Sequence, residues 1–565
     1  MNRAASRVRL GEHLLGRGLI DRDQLDIALA EQAHTGQPLG ALLVQLGFVA
    51  DTLIRDVLAE RLGVEAVALG NCQADPAALA ALPEALARHW RVFPLHYQPA
   101  SRCLQLAMTQ PTDLPLCDQI LQRSHGQIAR LDPRLACEAD ILQAIDRHYG
   151  HPVSLDAILQ EIRQGPVASP LHPGLADSQP VIRLIDAVLT DAVLKSASDI
   201  HFEPEARFVR IRYRIDGVLH QVRCLHKDYW PAMLVRLKVI SGLNIAEQRA
   251  PQDGRVSLTL SGRAVDFRVS SLPTSHGENL VMRLLDRSRG LLPLAQLVPA
   301  SQLAAVQRLL ARPEGMVLVT GPTGAGKTTT LYAMLNQLND SAVNIMTLED
   351  PVEYPMPRVR QTSINETVKL DFADGIRSLM RQDPDVILVG EIRDHDTAAM
   401  AFRAAMTGHR VLSTLHTHSA LAAIPRLLDL GVLPDVMAGN IVGVIGQRLV
   451  RRLCPHCRQP QAPDAAARRL LGLGHANHGA VIYQPGGCAL CDGVGYRGRQ
   501  AIMEVQRIDA ELDALLGQRA SLTELRRCAS HKGFQPLAEA AIGLVLSGQT
   551  ALEEVLRVVD LTDRM

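Results

Sequence analysis

Eight residues, Gly321-Pro-Thr-Gly-Ala-Gly-Lys-Thr328, constrain the fold of this chain more than any other stretch. They follow a short apolar run, Gly315-Met-Val-Leu-Val-Thr320, and a helical pattern continues through Leu331, Met334 and Leu335. This is Gly-x-x-x-x-Gly-Lys-Thr in its required strand, loop, helix setting. Its glycines let backbone N–H groups turn inward around phosphates, and the helix N-terminus adds partial positive charge. Gly321, Pro322, Thr323, Gly324, Ala325, Gly326, Lys327, Thr328 and Thr329 are therefore the expected nucleotide-binding set. Lys327 is placed to neutralise the β- and γ-phosphates of ATP and Thr328 to hold Mg²⁺.

Two further apolar runs end in carboxylates. Asp385-Val-Ile-Leu-Val-Gly-Glu391 reads as a buried strand, and Val343–Leu348 runs into Glu349-Asp350-Pro-Val-Glu353. In an open parallel sheet, ligands bind at the carboxyl ends of strands, which would set Glu349 and Glu391 beside the phosphates. Phosphoryl transfer needs a carboxylate there, to hold the metal through water or to orient the attacking water. His409 and His416 bracket the strand Arg410–Leu415, and a histidine beside the Glu391 strand could hydrogen-bond the γ-phosphate and report its presence.

Charge and cysteine usage narrow the class. The 59 basic and 59 acidic residues cancel, which argues against broad electrostatic binding to nucleic acid. No apolar run approaches the ~18 residues that span a bilayer, and the N-terminus lacks the apolar core of a secretory signal, so a cytoplasmic location is expected. Four of the ten cysteines form two Cys-x-x-Cys units, Cys454-Pro-His-Cys457 and Cys488-Ala-Leu-Cys491. Each unit presents two thiolates, and four thiolates close a tetrahedral zinc site. A redox pair is the rival reading; the presence of two pairs favours Zn²⁺. The other cysteines have no such spacing and read as ordinary thiols.

Along the chain, 9–62 alternates short helical patterns with glycine breaks, and 75–150 reads as a small mixed domain ending in a helix around Ala139–Tyr149. Residues 151–179 read as a linker. A helical pattern through Val181, Ile185, Val188, Leu189 and Ala192 opens the next domain. Phe208–Ile215 then alternates with period two, and Arg263–Leu272 and Glu278–Leu285 look like further strands. From Leu294 the pattern becomes that of an α/β nucleotide-binding core.

In this order the motifs resemble the type II secretion and type IV pilus assembly ATPases. Gly321–Thr330, Leu348–Glu353, Arg381–Asp394 and Thr407–Thr417 look like that family's Walker A, Asp box, Walker B and His box, although a typical Walker B strand ends in Asp. Ala197-Ser-Asp-Ile-His-Phe-Glu-Pro204, Arg214-Ile-Asp-Gly217 and Pro251-Gln-Asp-Gly-Arg255 extend the likeness over 180–565. The resemblance implies a multidomain α/β protein: a RecA-like P-loop ATPase core over 291–565, with the zinc knuckle at 454–491, preceded by a PAS-like α+β domain over 180–290 and a mostly helical or mixed domain over 1–150. It implies a hexameric cytoplasmic ATPase at the inner membrane, driving assembly of a pilus or pseudopilus through a membrane platform protein and associated assembly proteins. Lys327, Thr328, Glu349, Glu391, His409 and His416 would line the ATP site, and Arg268 in Asp-Phe-Arg-Val-Ser and Arg283 in Val-Met-Arg-Leu-Leu would reach the phosphates. Arg268 alternates with Val265, Phe267 and Val269 on a half-buried strand, and an arginine there usually has a partner. Retraction ATPases of pili lack the long N-terminal region and the cysteine knuckle, so an assembly motor is expected. A DNA-translocating hexameric motor is the alternative, disfavoured by the zero net charge.

Arg9-Leu-Gly-Glu-His-Leu-Leu-Gly-Arg-Gly-Leu-Ile20, continuing to Leu25, Leu29 and Gln32, resembles the first half of a cyclic di-GMP-binding module found at the start of some such motors. Arg9, Leu10, Gly11 and Gln32 would then meet the nucleotide, with the second half expected near Arg61-Leu-Gly63 and Leu79–Pro83. Docking of an inner-membrane partner's tail on the same fold is the competing expectation.

Overall fold

The computed structural model describes residues 9–69, 75–124, 126–149, 179–260, 263–286, 292–365, 370–473 and 479–562. The linker expected over 151–179 lies, but for its last residue, outside them. Contacts divide the chain into two units, Met1–Ser288 and Arg289–Met565.

The first unit begins with a duplication. Helices α1 (Leu10–Gly16) and α2 (Arg22–Thr35) are followed by α3 (Leu39–Gln45) and α4 (Asp51–Leu62). Leu10, Gly11, Leu14, Gly18, Ile20 and Leu25 recur 29 positions later as Leu39, Gly40, Leu43, Gly47, Val49 and Ile54. The packing repeats as well. A Cβ at Gly11 would lie 2.5 Å from Leu25, and one at Gly40 would lie 3.1 Å from Ile54, the equivalent side chain. Leu14, Leu25, Leu43 and Ile54 meet in one small core. The second helix pair thus occupies 39–62, upstream of the position expected near 61–83. Helices α5 (Pro76–Ala81), α6 (Glu84–Trp90), α7 (Leu114–Arg123) and α8 (Glu138–His148) then pack with a three-stranded sheet. Its strands are β1 (Val92–Gln98), β2 (Cys103–Met108) and β3 (Arg130–Leu135), in that order.

Residues 179–286 build a six-stranded antiparallel sheet in the order β6-β5-β4-β9-β8-β7. The strands are β4 (Asp199–Pro204), β5 (Phe208–Ile215), β6 (Val218–His226), β7 (Gln252–Leu260), β8 (Arg263–Thr274) and β9 (Gly277–Asp286). Helices Gln179–Leu194 and Trp230–Ile240 share one core with this sheet, built around Ile200, Phe202, Ile211, Tyr213 and Phe267. The period-two pattern of Phe208–Ile215 is realised over most of its length: Val209, Ile211 and Tyr213 are buried and the arginines between them are not, while Ile215 at the strand end is half-buried. Lys238 is buried and its ammonium bonds Glu278 at 2.7 Å and the Glu247 carbonyl at 2.6 Å, tying the loop after its helix to β9. Paired and hydrogen-bonded, this charge is compatible with burial.

The second unit is organised by a seven-stranded sheet in the order β12-β11-β13-β14-β10-β15-β18. Its strands are β10 (Gly315–Thr320), β11 (Ile345–Glu349), β12 (Val359–Ser363), β13 (Val386–Val389), β14 (Arg410–Leu415), β15 (Ile441–Leu453) and β18 (Tyr496–Arg507). All neighbours are parallel except β15 and β18. Every residue of β10 and of β13 is buried, as expected of strands covered on both faces. Between β15 and β18 the chain forms a two-stranded ribbon, β16 (Gln459–Gln461) and β17 (Ile482–Gln484), beside the cysteine pairs. The arrangement is the α/β nucleotide-binding core expected from the motif. Among the described residues, no helix is long and apolar enough to cross a membrane.

Candidate active site

Strand β10 delivers the chain at Thr320 into the loop 321–326, and the helix Lys327–Leu338 begins where the loop ends. Gly326 caps that helix at φ 83°, a left-handed conformation that favours glycine. Thr320 is tied to the end of β14, its hydroxyl accepting from the Thr417 N–H at 3.0 Å. Lys327 is largely buried and its ammonium donates to the Gly321 and Pro322 carbonyls at 2.8 and 3.1 Å. Burial pulls its pKa below the ordinary lysine value; the Glu391 carboxylate opposes that shift and the Arg448 guanidinium adds to it. Thr328 and Thr329 are exposed on the first turn of the helix.

The two glutamates occupy different environments. Glu349 ends β11 and is 4% exposed. Its carboxylate accepts from the Tyr332 hydroxyl, from Thr347 at 2.6 Å and from the Gln361 amide at 3.3 Å. Those contacts hold it to the loop-bearing helix and to β12, the edge strand. Glu391 follows β13 and is more open, its side chain 18% exposed. It pairs with Arg393, and its other oxygen lies 3.4 Å from His416 Nε2. Arg393 in turn lies 3.5 Å from Asp350, so one guanidinium spans the ends of the β11 and β13 segments.

Parallel pairing separates the two histidines. Gly315 lies opposite Arg410 and Thr320 opposite Leu415, so β10 and β14 start and finish together. His416 therefore sits at the end of the sheet that carries the phosphate loop. His409 sits at the other, roughly 20 Å away along six residues of strand. Its ring contacts the Ala404 carbonyl and Thr407, both at 3.0 Å, at the end of the preceding helix. The expectation that His409 lines the ATP site is corrected here: a strand six residues long cannot bring residues at both of its ends to one phosphate.

Arg268 and Arg283 are directly opposed on β8 and β9, in one cross-strand row with Arg255, Asp199 and Arg214. Asp199 accepts from Arg283 Nε at 3.0 Å and lies 3.5 Å from Arg214 Nε. The row belongs to the first unit; the loop, glutamates and histidines belong to the second.

Cys454, Cys457, Cys488 and Cys491 converge with all four sulfurs within 4.8 Å of one another. The sulfur separations of 3.7–3.8 Å between Cys454 and Cys488, Cys457 and Cys491, and Cys488 and Cys491 equal the edge of a tetrahedron with metal–sulfur bonds of ~2.3 Å. Backbone N–H groups of Gly487, Cys488 and Gly495 point at these sulfurs at 3.2–3.3 Å, as thiolates would require. The cluster is compatible with a zinc knuckle.

At the N-terminus, Leu10 reaches the second helix pair, lying 3.6 Å from a Cβ position at Gly40. Arg9 precedes α1 and is exposed, and the Gln32 amide donates to the Gln37 carbonyl at 3.0 Å.

Several residues around the loop were not expected: Tyr332, Gln361, Arg393, Gln447 and Arg448. For the last two a signal exists, since they interrupt the apolar run Ile441–Leu453 in the middle of a buried strand.

Comparison with known proteins agrees with this layout. The family described as Type II/IV secretion system protein matches residues 174–557, and the MshEN domain matches 62–155. The "Type IV pilus assembly ATPase PilB" of Myxococcus xanthus is 38% identical over 97% of this chain and 98% of its own length. The "Type II secretion system protein E" of Klebsiella pneumoniae is 46% identical over 68% of this chain and 77% of its own. Among solved structures, the Legionella pneumophila ATPase DotB shares the fold at 21% identity and a TM-score of 0.50, covering 66% of this chain and 95% of that one.

Proposed function

Because the chain belongs to the Type II/IV secretion system protein family, we propose that this ATP hydrolase works as a homohexamer at the cytoplasmic face of the inner membrane and drives assembly of a type IV pilus or type II secretion pseudopilus through a platform protein and its associated assembly proteins. The observation that carries the reading is the meeting of Lys327, Glu391 and His416 at the carboxyl ends of β10, β13 and β14, around a phosphate-binding loop. Alignment with the pilus-assembly relative over 98% of its length, N-terminal region included, supports the pilus side of this reading.

In this mechanism the loop backbone and Lys327 bind the β- and γ-phosphates of ATP. Thr328 and the Glu391 carboxylate would hold Mg²⁺, which supplies neutralisation of phosphate charge when bound. Glu391 and His416 orient the attacking water and the γ-phosphate. Glu349, held at the end of β11 by Tyr332, Thr347 and Gln361, shares the water and Mg²⁺ roles with Glu391 and links the loop helix to β12. The four-cysteine knuckle takes Zn²⁺ as a structural metal.

Arg268 and Arg283 act on the phosphates across a subunit boundary. Mixed oligomers test both the assembly and this role. Subunits lacking both arginines but with an intact Lys327, mixed with Lys327→Ala subunits that keep the arginines, should regain part of wild-type ATP turnover, roughly a quarter to a half at equal ratio if sites act independently. No recovery at any ratio would refute action in trans.

The helix duplication over 10–62 supports a cyclic di-GMP site at Arg9, Leu10, Gly11 and Gln32, and the MshEN match over 62–155 follows directly after it. Calorimetric titration of the full chain should give a Kd of about 1 μM or tighter, corresponding to about −8 kcal/mol, with Arg9→Ala and Gln32→Ala each weakening it. Absence of heat at high micromolar nucleotide would leave the module as a docking domain.

A further inference from the structure

Strand β15 runs beside β10, with Gly446 opposite Thr320, so the next residue, Gln447, stands directly under the phosphate loop. Gln447 is 2% exposed. Its amide spans two parts of the nucleotide-binding element. The Nε2 group donates to the Ala325 carbonyl at 2.7 Å, and Oε1 accepts from the Thr330 hydroxyl at 2.8 Å. The loop is fitted closely around this residue. A Cβ at Gly321 would lie 2.5 Å from the Gln447 carbonyl oxygen, and one at Gly326 would lie 3.0 Å from Nε2. Arg448, also largely buried, fixes the backbone on the same strand: its guanidinium donates to the Gln447 carbonyl at 2.9 Å and to the His418 carbonyl at 2.8 Å, two residues beyond His416.

The Ala325 contact has a consequence in the loop. In a trans peptide the C=O of one residue and the N–H of the next point in opposite directions. A hydrogen bond that draws the Ala325 carbonyl down toward β15 turns the Gly326 N–H up, toward the mouth of the loop. That peptide unit is free to rotate unless something holds it, because Gly326 lacks a Cβ. The Thr330 contact holds the other end of the amide, so its donor cannot flip away from Ala325.

We propose that Gln447 is a positioning residue for nucleotide binding, whose buried amide aims the Gly326 N–H into the phosphate cradle. The inference rests on the reading of this loop as the ATP site. The cradle N–H groups meet phosphates that ATP and ADP share, so the loss falls on binding of both nucleotides more than on the chemical step. Such uniform binding appears in KM and leaves kcat nearly unchanged.

The test uses the full chain. Gln447→Met keeps the length and removes both hydrogen bonds. Gln447→Glu keeps the acceptor for Thr330 and sets a carboxylate against the Ala325 carbonyl. Thr330→Val removes only the second contact. For Gln447→Met and Gln447→Glu, the Kd for ADP and the KM for ATP are expected to rise together by about 10-fold or more, with kcat within about 3-fold. Thr330→Val should shift them by less than half as much on a logarithmic scale. Thermal melting monitors the fold, and if Gln447→Met does not fold, Gln447→Glu decides. Unchanged nucleotide affinity in a folded Gln447 variant, or a loss of kcat at unchanged KM, would overturn the proposal. If Lys327→Ala also binds and turns over ATP normally, the reading of the loop itself fails, and the two failures are thereby told apart.

Discussion

Lys327→Ala is expected to abolish ATP turnover while the protein keeps its fold. The ammonium is held in a partly desolvated place, where burial lowers its pKa and Glu391 opposes the shift. Charge kept there against a desolvation cost acts most strongly on an anion brought beside it, since the same burial weakens screening by water. Removing one partner of such a pair costs about 3–5 kcal/mol, which is two to four orders of magnitude in rate if the loss falls on the transition state. The fold should tolerate the change. Lys327 opens its helix, alanine is the best helix former, and the lysine's two hydrogen bonds go to Gly321 and Pro322 in the same loop. Steady-state phosphate release by the purified chain, with thermal melting as the fold control, gives the result. Turnover within 10-fold of wild type in a folded variant would contradict the assignment of this loop.

The loop was legible in the sequence because its parts are contiguous: strand, glycine turn and helix follow one another, and each has a local signature. Glu349 and Glu391 were legible as strand ends for a similar reason. Their different surroundings were not, because two of the partners that hold Glu349, Tyr332 and Gln361, come from other segments, the loop helix and β12. His409 misled because bracketing a strand brings two residues close in sequence number but holds them apart in space. The parallel sheet gives its two ends different neighbours. Gln447 escaped notice since its contacts lie 117 and 122 positions away, and only the adjacency of β10 and β15 creates them. The second helical pair in the N-terminal region was hidden by its polar positions. Gln32 of the first pair corresponds to Arg61 of the second, and Arg9 to Pro38, while the matching residues are glycines and leucines that recur in many helical segments.

The second large effect concerns the cysteine cluster, which belongs to the same unit as the ATP loop and is joined to it along one strand. β15 carries Gln447 and, seven residues on, reaches Cys454. The Cys454 N–H donates to the Gly495 carbonyl at 2.9 Å, and Leu453 does the same to Gln549. Around them, Arg451 lies over the Tyr496 ring at 4.0 Å and bonds the buried Glu554, and Arg458 lies over Tyr483 at 4.6 Å. The cluster thus closes a region in which the end of β15, the start of β18 and the last helices meet. Metal analysis of the purified chain is expected to give about one zinc per chain, with Cys454→Ser and Cys491→Ser each losing it. Four unliganded thiols of this density repel one another once ionised, and metal-binding energy in such knuckles is folding energy. Chelation should therefore lower the melting temperature by at least about 5 °C and expose the four thiols to an aromatic disulfide reagent. The loss should be local in its first stage, because the Leu453–Gln549 and Arg451–Glu554 hydrogen bonds and the two ring contacts beside the cluster do not involve the sulfurs. Nucleotide binding should survive longer than turnover, since the loop itself is held by β10 and Gln447. A chain that contains no zinc and whose four thiols react freely without loss of stability would refute the metal assignment and leave the tetrahedral spacing without a function.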